Sequence, residues 1–311
     1  MGRGIVLALV VALTGCGDVD SGGASPGKPA ASPTAALPAE GRVRTVTTVL
    51  DQGDGPVMCL GGIADSLPPQ CDGPDVAGWD WDDHPEHESA DGARWGEFTL
   101  VGAWDGRTFT ATEVEPVEPL DGLQNVGGLD PPETDPPTTP CEEPDGGWTV
   151  VDPATTNTTA RGRATRVAEA LPDYGLTWID QSINPRWEDW QQLVAGQWTG
   201  SSLELEQAMN DPTHMILNVG VTDDLARAEA AVREVWGGPL CVYELANTIE
   251  RLREVAEELS DLPGALGPQF GTISNRVDLP VVHDDGSVQA WVDEEYGPDV
   301  VEVTSVLESV E

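Results

Sequence analysis

The fold of the N-terminal half of this 311-residue chain is indicated by the stretch WGEFTLVGAWDGRTFTATEV, residues 95–114. Two extended runs, rich in aromatic and β-branched residues, flank Asp105-Gly106 within it. An Asp-Gly pair between such runs is the strongest short-range signal of a β-hairpin. Phe98 and Leu100 on the first arm, and Thr108 and Thr110 on the second, fall on alternating positions. The stretch therefore predicts an antiparallel hairpin that turns at Asp105-Gly106.

Strand-like segments surround this hairpin. Upstream, RVRTVTTVL (residues 42–50) sets valines among threonines, a composition that favours extended chain. The region as a whole has room for about five short strands. We therefore expect a small all-β domain over residues 42–117, built as an OB-like barrel or a sandwich.

The pattern changes at Trp148, where helical and strand-like segments begin to alternate. The strand-like runs are residues 215–221, 240–245, 277–282 and 300–307. Such an order is typical of helices packed on a partly parallel sheet. The sequence thus predicts an α+β chain in which residues 148–311 form a mixed α/β sandwich domain.

Three helices are expected between these runs. One begins after Thr222-Asp223-Asp224, whose side chains suit a helix N-terminus. Asn247, with Glu250 three residues later, has the spacing of a capping box. The third is a short helix over residues 287–296.

The first sixteen residues have the layout of an export signal. Arg3 and the amino terminus are positive, and residues 5–13 are an apolar run too short to span a bilayer. Leu13-Thr14-Gly15-Cys16 then resembles the lipobox of bacterial lipoproteins, whose cysteine receives a diacylglyceryl group. We expect a signal peptide over residues 1–15 and a palmitate-type acyl anchor at Cys16, on the extracytoplasmic face of the cell membrane. An ordinary secretory signal is the alternative.

Two segments of low hydrophobicity separate the remaining parts. Residues 16–41 hold the lipidated cysteine and a Ser/Pro/Ala/Gly-rich run, which predicts a disordered tether. Residues 118–147 are rich in proline, glycine and acids, which predicts a linker between the β domain and the α/β domain.

The charge of the chain is strongly one-sided. Asp and Glu number 55 against 15 Lys and Arg, for a formal net charge of −40. Such a surface repels nucleic-acid phosphates and anionic lipid headgroups. We therefore expect no nucleic-acid partner, and contact with membrane lipid only through the acyl anchor.

Four cysteines remain once Cys16 is lipidated. An even number in an exported protein predicts two disulfides, with three possible connectivities. Cys59 and Cys71 enclose a short Gly/Pro-rich loop, so we pair them; Cys141 would then join Cys241. The spacing of the four does not match a zinc site.

The segment WDWDDHPEHESADG, residues 79–92, is the strongest candidate for a cation site. Carboxylates suit Ca²⁺, and two imidazoles with a carboxylate could hold Zn²⁺. The spacing fits neither an EF-hand loop nor His-Glu-x-x-His, and a solvated acidic loop is the competing interpretation. The possible ligands are Asp80, Asp82, Asp83, His84 and His87, with Glu86, Glu88 and Asp91 nearby.

Tryptophan is abundant, with 11 residues in the chain. Trp79 and Trp81 are at strand spacing, and could stack on sugar rings or lie in a β core. Trp187, Trp190 and Trp198 lie at helical spacing after Asn184-Pro185, which predicts an amphipathic helix packed on the sheet. We favour the core interpretation for both groups.

Enzyme motifs are not found. The sequence contains no Gly-x-Ser-x-Gly and no phosphate-binding glycine-rich loop. We therefore expect a non-catalytic binding or structural module at the cell envelope, without a cofactor. The alternatives are a divalent-cation-binding surface protein that uses residues 79–92, and a cell-wall-directed hydrolase with a carboxylate pair.

Several blocks resemble a family of secreted lipoproteins from high-GC Gram-positive bacteria. The blocks are CLGGIADSLPPQC (59–71), GWDW (78–81), WG (95–96), WDG (104–106), WGGPLCV (236–242) and EYG (295–297) with the run to Val306. No activity is assigned to that family. The resemblance therefore implies an extracytoplasmic location and disulfides, and no catalytic residue.

Overall fold

The computed structural model describes residues 33–117 and 138–310. These residues form a mixed α+β structure with a closed five-stranded barrel in the N-terminal half and six α-helices in the C-terminal half. The predicted α+β class is confirmed. Within the described residues, no helix is both long and apolar enough to cross a membrane. The expected signal peptide, Cys16 and most of the tether lie outside the described residues, as do residues 118–137 of the linker.

The barrel is built from the strands of the N-terminal half. They are β1 (Arg42–Asp51), β2 (Pro56–Cys59), β3 (Asp75–Ala77), β4 (Glu88–Ala90), β5 (Ala93–Trp104) and β6 (Thr108–Pro116). Five of them follow the order β1-β2-β3-β6-β5, and pairing of β1 with β5 closes the ring. β3 and β6 are parallel, whereas the other barrel neighbours are antiparallel. β4 pairs with the start of β5.

The predicted hairpin is confirmed as β5 and β6. The Asp105 carboxylate accepts hydrogen bonds from the backbone N–H groups of Arg107 and Thr108, at 2.8 and 2.7 Å. Gly106 follows with φ +93°, a backbone conformation that residues with a Cβ rarely adopt. The turn therefore forms for the local reasons that its sequence indicates.

The C-terminal half alternates helices and strands. In chain order they are α1 (Thr158–Glu169), β7 (Tyr174–Asp180), α2 (Trp187–Val194), α3 (Ser202–Met209), β8 (Ile216–Val221), α4 (Leu225–Arg233), β9 (Leu240–Glu244), α5 (Ile249–Leu259), β10 (Val277–Val281), α6 (Ser287–Tyr296), β11 (Val301–Ser305) and β12 (Glu308–Val310). β8 lies between β7 and β9, antiparallel to the first and parallel to the second. β10 and β11 form a separate parallel pair.

Helices α1 and α4 pack on the three-stranded sheet. Ala160, Ala164 and Ala168 form a fully buried stripe on α1 at i, i+4 and i+8. These small side chains let the helix pack closely on Leu217, Val219 and Val221 of β8. α4 contributes Val232 to the same core, and Asp224 caps it by accepting from the N–H of Arg227.

The cap of α5 differs from the prediction. Thr248 is the N-cap residue, and its hydroxyl accepts from the N–H of Arg251 at 3.2 Å. The side chain of Asn247 instead donates to the carbonyl of Asn275, and Asn275 donates back to the carbonyl of Asn247. The local spacing predicts Asn247 as the helix cap, but its side chain is hydrogen-bonded to a distant loop instead.

The two halves share contacts. β12 pairs with β1 in antiparallel orientation, and Arg42 lies opposite Val310. Val282 and Leu307 lie in the hydrophobic cluster of the barrel. Residues 35–39 also contact both halves, because Ala35 donates to a carbonyl of the C-terminal half and Ala39 to one of the barrel. The domain boundaries at residues 42–117 and 148–311 stay a prediction.

Candidate functional site

A concavity of about 340 Å³ lies beside the three-stranded sheet. Cavities that bind small molecules have volumes of about 300 Å³ and upward. The lining comes from α1, from β7 and from the C-terminal end of α3. We call it the α1–β7 cavity; its lining residues are Arg161, Thr165, Thr177, Trp178, Ile179, Gln181 and Asn210.

The wall formed by α1 follows from the helix period. Residues one position after the buried alanine stripe lie at its edge, so Arg161 and Thr165 line the cavity together. Arg161 is partly buried, and its Nη1 lies 3.2 Å from the sulfur of Met215. The hydroxyl of Thr165 donates to the backbone carbonyl of Arg161 at 3.3 Å. A guanidinium and a hydroxyl therefore lie one turn apart on this wall.

The opposite wall is β7. The indole N–H of Trp178 donates to the hydroxyl of Tyr243 at 3.1 Å, which holds the ring across β8 toward strand β9. Burial raises the pKa of Tyr243 above its ordinary value, so its hydroxyl stays neutral. Thr177 and Ile179 complete this wall. Thr177 and Ile179 point to the face of the sheet that carries α1, whereas the indole of Trp178 points to the opposite face. The wall that faces α1 therefore presents one branched apolar side chain and one hydroxyl.

The rim is held by hydrogen bonds. The amide of Gln181 donates to the carbonyl of Met209 at 2.6 Å, and that of Asn210 donates to the carbonyl of Glu206 at 2.8 Å. Asp180 precedes Gln181 and is buried. Burial alone would raise the pKa of Asp180, but hydrogen bonds from Ser182 and Thr139 outweigh it and lower the pKa. The rim is thus set before any ligand arrives.

The candidate cation loop is arranged differently from a metal site. Asp80 caps a single 3₁₀ turn, Trp81–Asp83, by accepting from the N–H of Asp82. His87 Nδ1 lies 2.6 Å from the carbonyl oxygen of His84. Across residues 33–117 and 138–310, no group of three or more His, Cys, Asp or Glu side chains is placed to hold a metal ion. A Ca²⁺ or Zn²⁺ site here stays a prediction from the sequence.

The tryptophans divide between core and surface. Trp81 is buried in the barrel cluster, and Trp79 packs on it edge-to-face at 5.2 Å, so the core interpretation is confirmed for this pair. For α2 it is wrong: the helix begins at Trp187, two residues after the Pro185 start that the sequence predicts, none of its residues is buried, and Val194 is 73 % exposed. α2 packs beside α3 rather than on the sheet, which leaves its aromatic rings half-exposed.

Both predicted cysteine pairs lie at disulfide distance. The Cα atoms of Cys59 and Cys71 are 5.6 Å apart, and those of Cys141 and Cys241 are 5.8 Å apart. The second pair attaches the segment before Trp148 to β9. The same segment supplies Thr139, whose N–H and hydroxyl both donate to Asp180. A disulfide and a buried carboxylate thus secure the side of the sheet next to the cavity rim.

No residue of the α1–β7 cavity was identified from the sequence. One signal was present: TTARGRATRVAE, residues 158–169, has three arginines and one acid in a chain whose net charge is −40. Trp178, Gln181 and Asn210 have no such signal. Their shared position depends on how β7 and α3 meet, which no local pattern records.

No family model matches the chain, and neither the curated proteins nor the solved structures yield a match. The resemblance to secreted lipoproteins of high-GC Gram-positive bacteria therefore stays a prediction.

Proposed function

We propose that the chain is a non-catalytic binding module, anchored by lipid to the outer face of the cell membrane, that holds a small polar ligand in the α1–β7 cavity. The observation that carries the binding role is the cavity itself, with fixed walls and a rim of amides. The lipobox-like run ending at Cys16 supports the anchor. The net charge of −40 argues against a nucleic-acid partner.

We also propose that the barrel is OB-like and that the C-terminal half is a two-layer α/β arrangement. The strand order β1-β2-β3-β6-β5, with β3 parallel to β6, supports the first. The packing of α1 and α4 on β7-β8-β9 supports the second. In both proposals the ligand-binding α1–β7 cavity lies in the C-terminal half, and the barrel has a supporting structural role.

The two alternatives from the sequence have less support. The loop at residues 79–92 does not gather its carboxylates and imidazoles among the described residues. A hydrolase needs a carboxylate pair in a cleft, and the residues that line the α1–β7 cavity include no acid. Binding is therefore the function that this geometry favours.

The anchor is tested by metabolic labelling with a radioactive fatty acid in a bacterial host that processes lipoproteins. We expect label on the wild-type chain and none on Cys16→Ala, because the thiol is the acylated group. An unlabelled wild-type chain, or label retained by the alanine variant, would contradict the anchor.

The binding role is tested by filling the cavity. Thr165→Trp should place an indole in the cavity and abolish binding of the small polar compounds that the Cys16→Ala background binds in ligand-observed NMR. Glu169→Trp is the matched control, because Glu169 is one turn further along α1, exposed and outside the lining. Near-UV circular dichroism checks that both variants fold. Compounds that bind both variants equally would place the binding elsewhere.

A further inference from the structure

The guanidinium of Arg161 lines the α1–β7 cavity and is not among the six of thirteen arginines in the described residues that pair with a carboxylate. Arg42, Arg94 and Arg227 each form an ion pair with an acidic side chain. Among residues 33–117 and 138–310, Arg161 forms no ion pair, although acids outnumber bases 55 to 15 in the chain. Its neighbour Met215 is apolar and fully buried. A partly buried cation is therefore left without a counter-charge.

Arg161 also has hydrogen-bond donors to spare. A guanidinium has five N–H donors and no acceptor, and its one side-chain contact within the described residues is to a thioether, a weak acceptor. Trp178 has already given its N–H to Tyr243, and the amides of Gln181 and Asn210 each donate to a backbone carbonyl. The cavity's strongest remaining donor group is thus positive and planar.

We propose that the α1–β7 cavity binds a small organic monocarboxylate, with its carboxylate on Arg161 and its apolar part against Ile179. This inference rests on the proposed binding function and specifies its ligand class. The planar fork of arginine matches a carboxylate bidentately, and such hydrogen bonds are about twice as strong as neutral ones.

A single negative charge fits better than a double one. One guanidinium balances one carboxylate, and no second basic residue lines the cavity. A phosphate dianion would leave an unbalanced charge inside a chain of net charge −40. The side chain of Ile179 favours a ligand with an apolar portion, and the volume of about 340 Å³ limits that ligand to a small size.

The test compares three probes that share a phenyl ring: benzoate and benzamide, whose planar head groups have the same shape, and phenyl phosphate, whose head group is a dianion. Saturation-transfer NMR on the Cys16→Ala chain measures their affinities for the parent, for Arg161→Gln and for Arg163→Gln. Arg163 is the matched control, because it is exposed on the same helix and outside the cavity. We expect benzoate to bind at least about tenfold more tightly than benzamide or phenyl phosphate, a difference of about 1.4 kcal/mol.

The variants separate the possible results. Arg161→Gln should reduce benzoate affinity about tenfold or more, remove the preference for benzoate over benzamide, and leave benzamide binding unchanged. Arg163→Gln should change neither affinity. Equal binding of benzoate and benzamide to the parent, or tighter binding of phenyl phosphate, overturns the monocarboxylate assignment while the binding function stands. Failure of all three probes to bind overturns both proposals.

Discussion

The barrel and the α1–β7 cavity each contain a partly exposed arginine, yet only the arginine of the barrel is paired with a carboxylate. In the barrel, Arg94 lies over the ring of Trp81, 5.4 Å from its centroid, and its Nη2 is 3.3 Å from a carboxylate oxygen of Asp51. In the cavity, Arg161 and Trp178 line a concavity that contains no acid. An arginine is therefore paired within the chain in one place and left without a carboxylate in the other.

The two regions differ in one buried carboxylate, that of Asp51, which the barrel has and the cavity lining lacks. Asp51 accepts hydrogen bonds from Trp81 and from the backbone N–H groups of Gly53 and Gly55, and it pairs with Arg94. Burial alone would raise the pKa of Asp51, but these hydrogen bonds and the charge of Arg94 outweigh it and lower the pKa. An arginine beside such a carboxylate stabilises the fold, whereas an arginine without one is available to a ligand.

The largest expected effect comes from the disulfides that serve the two regions. The bridge at Cys141 and Cys241 closes 100 residues, and that at Cys59 and Cys71 closes 12. In the chain-entropy model, removing the first costs about 4–5 kcal/mol and removing the second about 3. Urea denaturation of the two double-alanine variants measures both. An equal loss, or a larger loss for the barrel pair, would show that loop length does not govern their contributions.

A smaller effect is expected when the buried carboxylate of the barrel is neutralised. Asp51→Asn keeps the shape but weakens hydrogen bonds to a charged acceptor, and should lower the free energy of unfolding by about 2–3 kcal/mol. Arg161→Gln, the corresponding change in the cavity, should cost no more than about 0.5 kcal/mol, because no internal ion pair is lost. If Arg161→Gln proves as destabilising as Asp51→Asn, Arg161 is a structural residue and the contrast between the two regions fails.

The pH dependence of Asp51→Asn sharpens the same comparison. The pKa of Asp51 in the folded chain is below its ordinary value of 3.8. Its contribution is therefore fully present well above pH 3.8 and lost as the pH falls through the folded pKa. Stability of the wild type should fall more steeply than that of Asp51→Asn below about pH 4. Because Asp180 and Asp211 also have lowered pKa values, the variant should keep part of the slope. Parallel curves would show that Asp51 has no such role.

Much of the secondary structure could be predicted because its causes are local. The hairpin at Asp105-Gly106 follows from turn chemistry that a few neighbouring residues supply. The short helix expected over residues 287–296 is α6, with those bounds. The cysteine pairs follow from an even count and from the positions of the cysteines along the chain, and both lie at disulfide distance.

The misses share a physical cause, which is competition from distant groups. The side chain of Asn247 could cap a helix by accepting one hydrogen bond from a helical N–H. Asn247 instead makes three hydrogen bonds with Asn275. The periodicity of α2 correctly indicates a helix with an apolar side. It does not specify what that side packs against, and in the structure α2 lies beside α3 at the surface.

The sequence by itself determined the β5–β6 hairpin, the helices α4, α5 and α6, and the pairing of cysteines, because period, turn residues and caps act over a few positions. Tertiary structure alone decided that β1 meets β5 and closes the barrel, and that β12 returns to β1. It also decided that Arg161, Trp178 and Asn210 line one cavity. These residues lie far apart in sequence and meet only because burial of the alanine stripe of α1 and the valines of β8 sets how the elements pack.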